Sequence, residues 1–264
     1  MLMGTVLAVA IGVSGAGASH SCSEEELGWS SCGLHVPADA LPLTFHVNVD
    51  SRPGGLGSGA VLRAVAAAVD EWNLHWPLST GRPGCELLCL AGTTEATGAK
   101  RDGVNAISWA PFGACGNGHA DGVAVACLWF AGSEGAAKHQ ITEVDIILNP
   151  ERAWYQPGGA RAALGDVAGL YPELADTSAY DELADGKGKY DLQSALTHEL
   201  GHAVGLEDIG SGTPWPSSLM SDATQYRQTM YRWYYRGTTN KRSLEEGDIA
   251  GLWQVAMDTT RDGG

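Results

Sequence analysis

The sequence predicts an α+β domain whose helices support a mixed sheet. Three observations carry that expectation. Segments alternating apolar and polar residues stand beside segments whose apolar residues recur at helical spacing. Their order along the chain is strand, helix, several strands, helix, loops, helix. A hydrophobic content of 44% with nine Trp in 264 residues suffices for a sizeable core, as one large domain or two lobes around a cleft.

After Pro42, "LTFHVNVD" alternates and reads as the first strand. A Gly-rich turn follows, and "SGAVLRAVAAAVDEWNLHW" reads as a helix with Ser58 as N-cap and Val61, Val65, Ala68 and Trp72 on one face. Trp72 and Trp76 are expected to pack in the core. Further strands are expected at "NAISWA" from Asn105, "GVAVACLWF" from Gly122 and "ITEVDIILN" from Ile141. In the last, Thr142, Val144, Ile146 and Leu148 share one face. Glu143 and Asp145 lie on the other, placed to hold a loop or an ion, or to face solvent at an edge. "YDLQSALTHELGHAVGL" opens a helix with Asp191 as candidate N-cap. "SLEEGDIAGLWQVA" reads as a closing helix, with Ser243 and Glu246 in capping-box spacing.

The formal charge of −15 argues against nucleic acid or an anionic membrane surface as partner. The acidic stretch from Glu173 to Asp191 reads as a solvated loop. Calcium favours such clustered oxygens and is the alternative there, but the spacing matches no EF-hand. Residues 1–18 are apolar and small, ending in Ala16-Gly17-Ala18, and are expected to be a secretory signal cleaved after Ala18, although they contain no Lys or Arg; an uncleaved anchor is the alternative. Residues 19–41 then form a short N-terminal segment and 42–264 the main domain, with an upper lobe about 42–205 and a lower lobe about 206–260. No later stretch is long and apolar enough to span a membrane. With the signal segment a secreted protein is expected, and a monomer. Six cysteines (Cys22, Cys32, Cys85, Cys89, Cys115 and Cys127) read as disulfides in an exported chain. Nearest neighbours would give three local staples, though fifteen connectivities are allowed.

The chemistry concentrates in "HELGHAVGLED", from His198 to Asp208. Residues four apart share a helix face, so His198 and His202 can direct ring nitrogens at one ion. Glu199 falls beside that ion and suits a general base. A catalytic zinc needs a third ligand and an open position. Gly205 can stop the helix and reverse the chain, bringing Asp208 back to the same ion.

These residues resemble the metzincin metallopeptidase signature, His-Glu-x-x-His-x-x-Gly-x-x-His/Asp. "DGVNAISWA", "ITEVDIILN" and "SLEEGDIAGLW" look like its bacterial matrixin-like branch, so the resemblance covers roughly Pro42 to Ala256. It implies a metzincin-like catalytic domain: a mixed twisted sheet with an antiparallel edge strand, an active-site helix, a methionine turn and a C-terminal helix. "PSSLM" would supply that turn at Met220. Asp208 as third ligand resembles the snapalysin type and lowers the charge of the site relative to a third histidine, which favours a higher pH optimum. Tyr226 or Tyr231 is placed to help the transition state or to pack. His119-Ala-Asp121 mimics part of a structural zinc site, but only His139 follows, and a second zinc is not expected. The activity implied is zinc-dependent endopeptidase hydrolysis with Glu199 as general base. A protein substrate would lie extended along "GVAVACLWF", its specificity set near Trp215 or Tyr226. The alternative is a secreted zinc-binding module without peptidase activity.

Overall fold

The computed structural model describes residues 23–24, 30–31, 33–80, 85–113, 115, 122–130, 140–155, 188–209, 227–234 and 236–261. Five strands form one mixed sheet: β3 (Leu43–Val47), β4 (Leu88–Thr93), β5 (Asn105–Trp109), β6 (Ala124–Phe130) and β7 (Ile141–Leu148), in the order β4-β3-β5-β7-β6. The first four run parallel, while β6 closes the edge antiparallel to β7. Two-residue pairs complete the strands: β1 (Ser23–Glu24) with β2 (Ser30–Ser31), and β8 (Trp154–Tyr155) with β9 (Tyr190–Asp191). Among the described residues three α-helices accompany them: α1 (Ser58–Leu74), α2 (Leu192–Val204) and α3 (Glu246–Arg261).

Alternation along each strand divides the core in two. Phe45, Val47, Ile107, Ala126, Leu128, Val144, Ile146 and Leu148 point to the helical side, where α1 and α2 pack together and α2 also contacts β6 and β7. Val125, Cys127 and Ile147 point the other way, into a smaller cluster with Ala110, Phe112 and Cys115. The disulfide Cys115–Cys127 ties that cluster to the edge strand. Cys85–Cys89 closes the turn before β4, a strand not expected from the sequence. Both pairs are nearest neighbours; Cys22 and Cys32 lie outside the described residues. Trp72 and Trp76 are buried as expected, and the Trp72 indole donates to the Thr197 carbonyl of α2 at 2.8 Å.

Glu143 and Asp145 hold a loop. Asp145 accepts from the N–H groups of Lys100 and Ala106, and Glu143 from those of Asp102 and Gly103, at 2.7–3.0 Å. Burial nevertheless raises the Asp145 carboxyl to about 7.

Two caps differ from expectation. Gly57, not Ser58, occupies the N-cap of α1 and offers no side chain. At α3 the N-terminal bond is offset by two residues from the expected box. Asp248 in the first turn accepts from the Glu245 N–H at 2.9 Å, while the Ser243 carbonyl accepts from the Thr229 hydroxyl. The core also extends before Pro42: Leu34, His35 and Val36 are buried, and His35 bridges to Gln140 at the start of β7. Among the described residues no helix is long and apolar enough to cross a membrane.

Candidate metal centre

α2 carries the motif, and both its ends are fixed. Asp191 is its N-cap, accepting from Ser194 N–H at 2.9 Å. The same buried carboxylate takes two bonds from the Arg242 guanidinium, at 2.9 and 2.6 Å. At the other end Gly205 adopts φ 113°, and Gly205 and Leu206 return N–H bonds to the carbonyls of His202 and Gly201, both at 3.0 Å. A side chain could not replace this glycine: a Cβ would lie 2.0 Å from the Leu34 carbonyl oxygen. The sharp reversal carries the chain straight to Asp208.

His198, His202 and Asp208 meet there, the only such group among the described residues, with potential ligand atoms all within 4.8 Å of one another. The His198 Nδ1 lies 2.6 Å from the Thr229 carbonyl and the His202 Nδ1 2.7 Å from that of Leu206. A carbonyl only accepts, so each Nδ1 carries the proton and each Nε2 carries a lone pair. Those two Nε2 atoms face each other at 3.1 Å, with Asp208 Oδ1 at 3.2 and 3.7 Å. Three lone-pair donors this close repel unless a cation lies among them. Tetrahedral ligands 2.0–2.1 Å from a zinc ion would stand about 3.3 Å apart, so the donor set fits such an ion.

Electrostatics points the same way. Burial and the Lys241 charge hold the His198 imidazole well below its usual range, and burial lowers His202 to about 4. Both rings are therefore neutral, the form that binds metals. Burial raises the Asp208 carboxyl and brings neighbouring Glu207 up to about 7. Glu199, fully buried, is raised well above the carboxylate range by burial and then by Asp208. Neither Glu199 oxygen has a hydrogen-bond donor among the described residues; Ala126 N–H on β6 faces the carboxylate without reaching bonding geometry.

No protein-family model matches this chain, and no curated protein matches it.

Beneath α2 lies a wall that sequence reasoning did not place. Met230 packs against Gly201, where a Cβ would approach its sulfur to 2.3 Å and Trp72 to 2.8 Å. Met220, expected in that position, lies outside the described residues, as do Trp215, Tyr226, His119, Asp121 and His139. Asp248 of α3 accepts from the N–H groups of Thr229 and Met230 at 2.8 and 3.0 Å. Ile209 N–H donates to the Met230 carbonyl, and Arg232 N–H to that of Ile209, which anchors the residue next to Asp208. Tyr231 is buried in this wall. The Tyr234 ring meets His198 edge-on at 5.2 Å, while its hydroxyl lies 3.2 Å from the Ala195 carbonyl, turned to the helix.

Lys241 is buried here as well. Its ammonium donates to the carbonyls of Thr229, at 2.7 Å, and Tyr231, and stands 4.7 Å from the Tyr234 ring centroid. Burial lowers it to about 7. In the sequence nothing marks Lys241, which stands two residues before the expected capping-box Ser243.

Proposed function

We propose that this chain is a secreted, zinc-dependent endopeptidase of the metzincin type. The observation that carries the proposal is the convergence of two neutral imidazole nitrogens and one carboxylate oxygen beside a buried, unpartnered glutamate. Two nitrogens and one oxygen suit zinc and leave a fourth position open. Held by His198, His202 and Asp208, zinc would supply a Lewis acid that polarises a carbonyl and acidifies water.

The remaining chemistry falls to the chain itself. Glu199 stands one residue from a ligand. It takes the proton of the attacking water and passes it to the leaving amine. Its burial raises its affinity for a proton, which suits a group that holds one between two transfers. Strand β6 lies at the sheet edge beside Glu199, so an extended peptide backbone can add to it through main-chain hydrogen bonds. The two disulfides support export.

The test compares the chain from Ser19 with Glu199→Ala on a denatured protein, with and without a chelator. Equal zinc in both and chelator-sensitive cleavage by the parent alone is expected. Zinc in both and cleavage by neither would overturn the peptidase proposal in favour of a zinc-binding module.

A further inference from the structure

Lys241 has no role in the proposed reaction, yet it is 2% exposed. No carboxylate lies within ion-pair distance of it among the described residues. The acids that act on it through space are Asp208, Asp248 and Glu199. A buried ammonium without a contacting counter-ion is costly, so its hydrogen bonds must carry its place in the fold. Those bonds converge on one short segment. The Nζ donates to the carbonyls of Thr229 and Tyr231, the residues on either side of Met230. The Thr229 carbonyl is also the acceptor for His198 Nδ1–H, and Nζ lies 3.3 Å from that nitrogen. Asp248 holds the same segment from its N–H groups. One buried acid thus grips the donors and one buried base the acceptors.

We propose that Lys241 is a positioning residue of the metal centre, fixing the Thr229 carbonyl that sets the proton position and orientation of the His198 ring. The inference rests on His198, His202 and Asp208 holding a metal. Outer partners of this kind keep the metal-facing lone pair aimed and typically govern affinity by 10–100-fold. Losing the ammonium would leave the Tyr231 carbonyl without this donor and the Thr229–Met230 peptide held by Asp248 at its N–H side, so that the Thr229 carbonyl could tilt away from His198 Nδ1–H. His198 would then lose its fixed tautomer.

The test measures zinc affinity by competition with a fluorescent chelator, and thermal unfolding of the metal-free chain, for the parent, Lys241→Met and Lys100→Met. The last removes an exposed lysine as a control. Zinc affinity is expected to fall by about 10–100-fold in Lys241→Met and to stay at the parent level in Lys100→Met. In nitrogen spectra of the metal-free chain, His198 is expected to lose its single Nδ1–H form in Lys241→Met. A merely structural lysine would lower the melting temperature while the folded variant kept parental zinc affinity and an unchanged His198 tautomer, and that would overturn the proposal. Should Lys241→Met not fold, Lys241→Gln, a polar side chain too short to reach both carbonyls, is read by the same two measurements against the same expectations. A parent that binds no zinc overturns the metal centre itself, a result distinct from equal binding by parent and variant.

Discussion

Replacing Gly205 with alanine is expected to damage fold and metal centre together. The backbone there has φ 113°, a region costing an L-residue about 1–3 kcal/mol. The new Cβ would also sit 2.0 Å from the Leu34 oxygen and 2.7 Å from its carbonyl carbon. These are backbone atoms of the buried segment that bridges to β7, so neither side yields cheaply, and overpacking adds about 1–3 kcal/mol. The sum is about 2–6 kcal/mol, or a melting temperature lower by on the order of 10 °C for a chain of this size. Relief of the clash moves the turn that presents the Leu206 carbonyl to His202 and leads to Asp208. Zinc affinity should therefore fall as well. The assay is thermal unfolding of the metal-free protein followed by chelator competition. A variant melting within about 2 °C of the parent, with parental zinc affinity, would refute the reasoning about this turn.

Three further outcomes follow from the same contacts. Arg242→Met strips the bidentate partner from the buried Asp191 carboxylate, leaving one N–H bond to it. Because Arg242 is partly exposed, the loss is expected near the lower end of about 3–5 kcal/mol, read by denaturant unfolding. Gly201→Ala presses on the flexible Met230 side chain as well as Trp72. It should cost less than Gly205→Ala, about 1–3 kcal/mol in the same assay. For pH, the His202 value in the folded state is depressed from 6.5 to about 4. The unfolded chain therefore binds the extra proton, and this contribution, on the order of 3 kcal/mol, is present above about pH 6.5 and lost as pH falls toward 4. Metal-free His202→Asn should show a flatter stability profile across that window; an identical slope would contradict the assignment.

Much of the fold was legible because it rests on local patterns. Period-two alternation marked β3 and the two faces of β7, short apolar segments marked β5 and β6, helical spacing marked α1 and α3, and the N-cap and histidine spacing marked α2. β4 was missed: its sequence, "LCLAGT", holds a disulfide cysteine and has glycine at positive φ next to its last residue, which leaves no clear apolar period to see. His198, His202 and Asp208 could be singled out because three potential ligands within eleven residues have a spacing set by helix and turn geometry alone. Thr229, Met230, Lys241 and Asp248 belong to the same site but join it through tertiary contacts across 20 or more residues. A lysine made useful by two carbonyls looks, in sequence, like any surface lysine. The choice between a loop and an ion at Glu143 and Asp145 likewise depended on where residues 100–106 fold back.

The most direct measurement is the zinc content of the purified chain by elemental analysis, beside His202→Ala and Asp208→Ala. One equivalent in the parent, lost or strongly reduced in both variants, is the expected result. A parent without stoichiometric zinc, or variants that retain it fully, would contradict the metal centre described above.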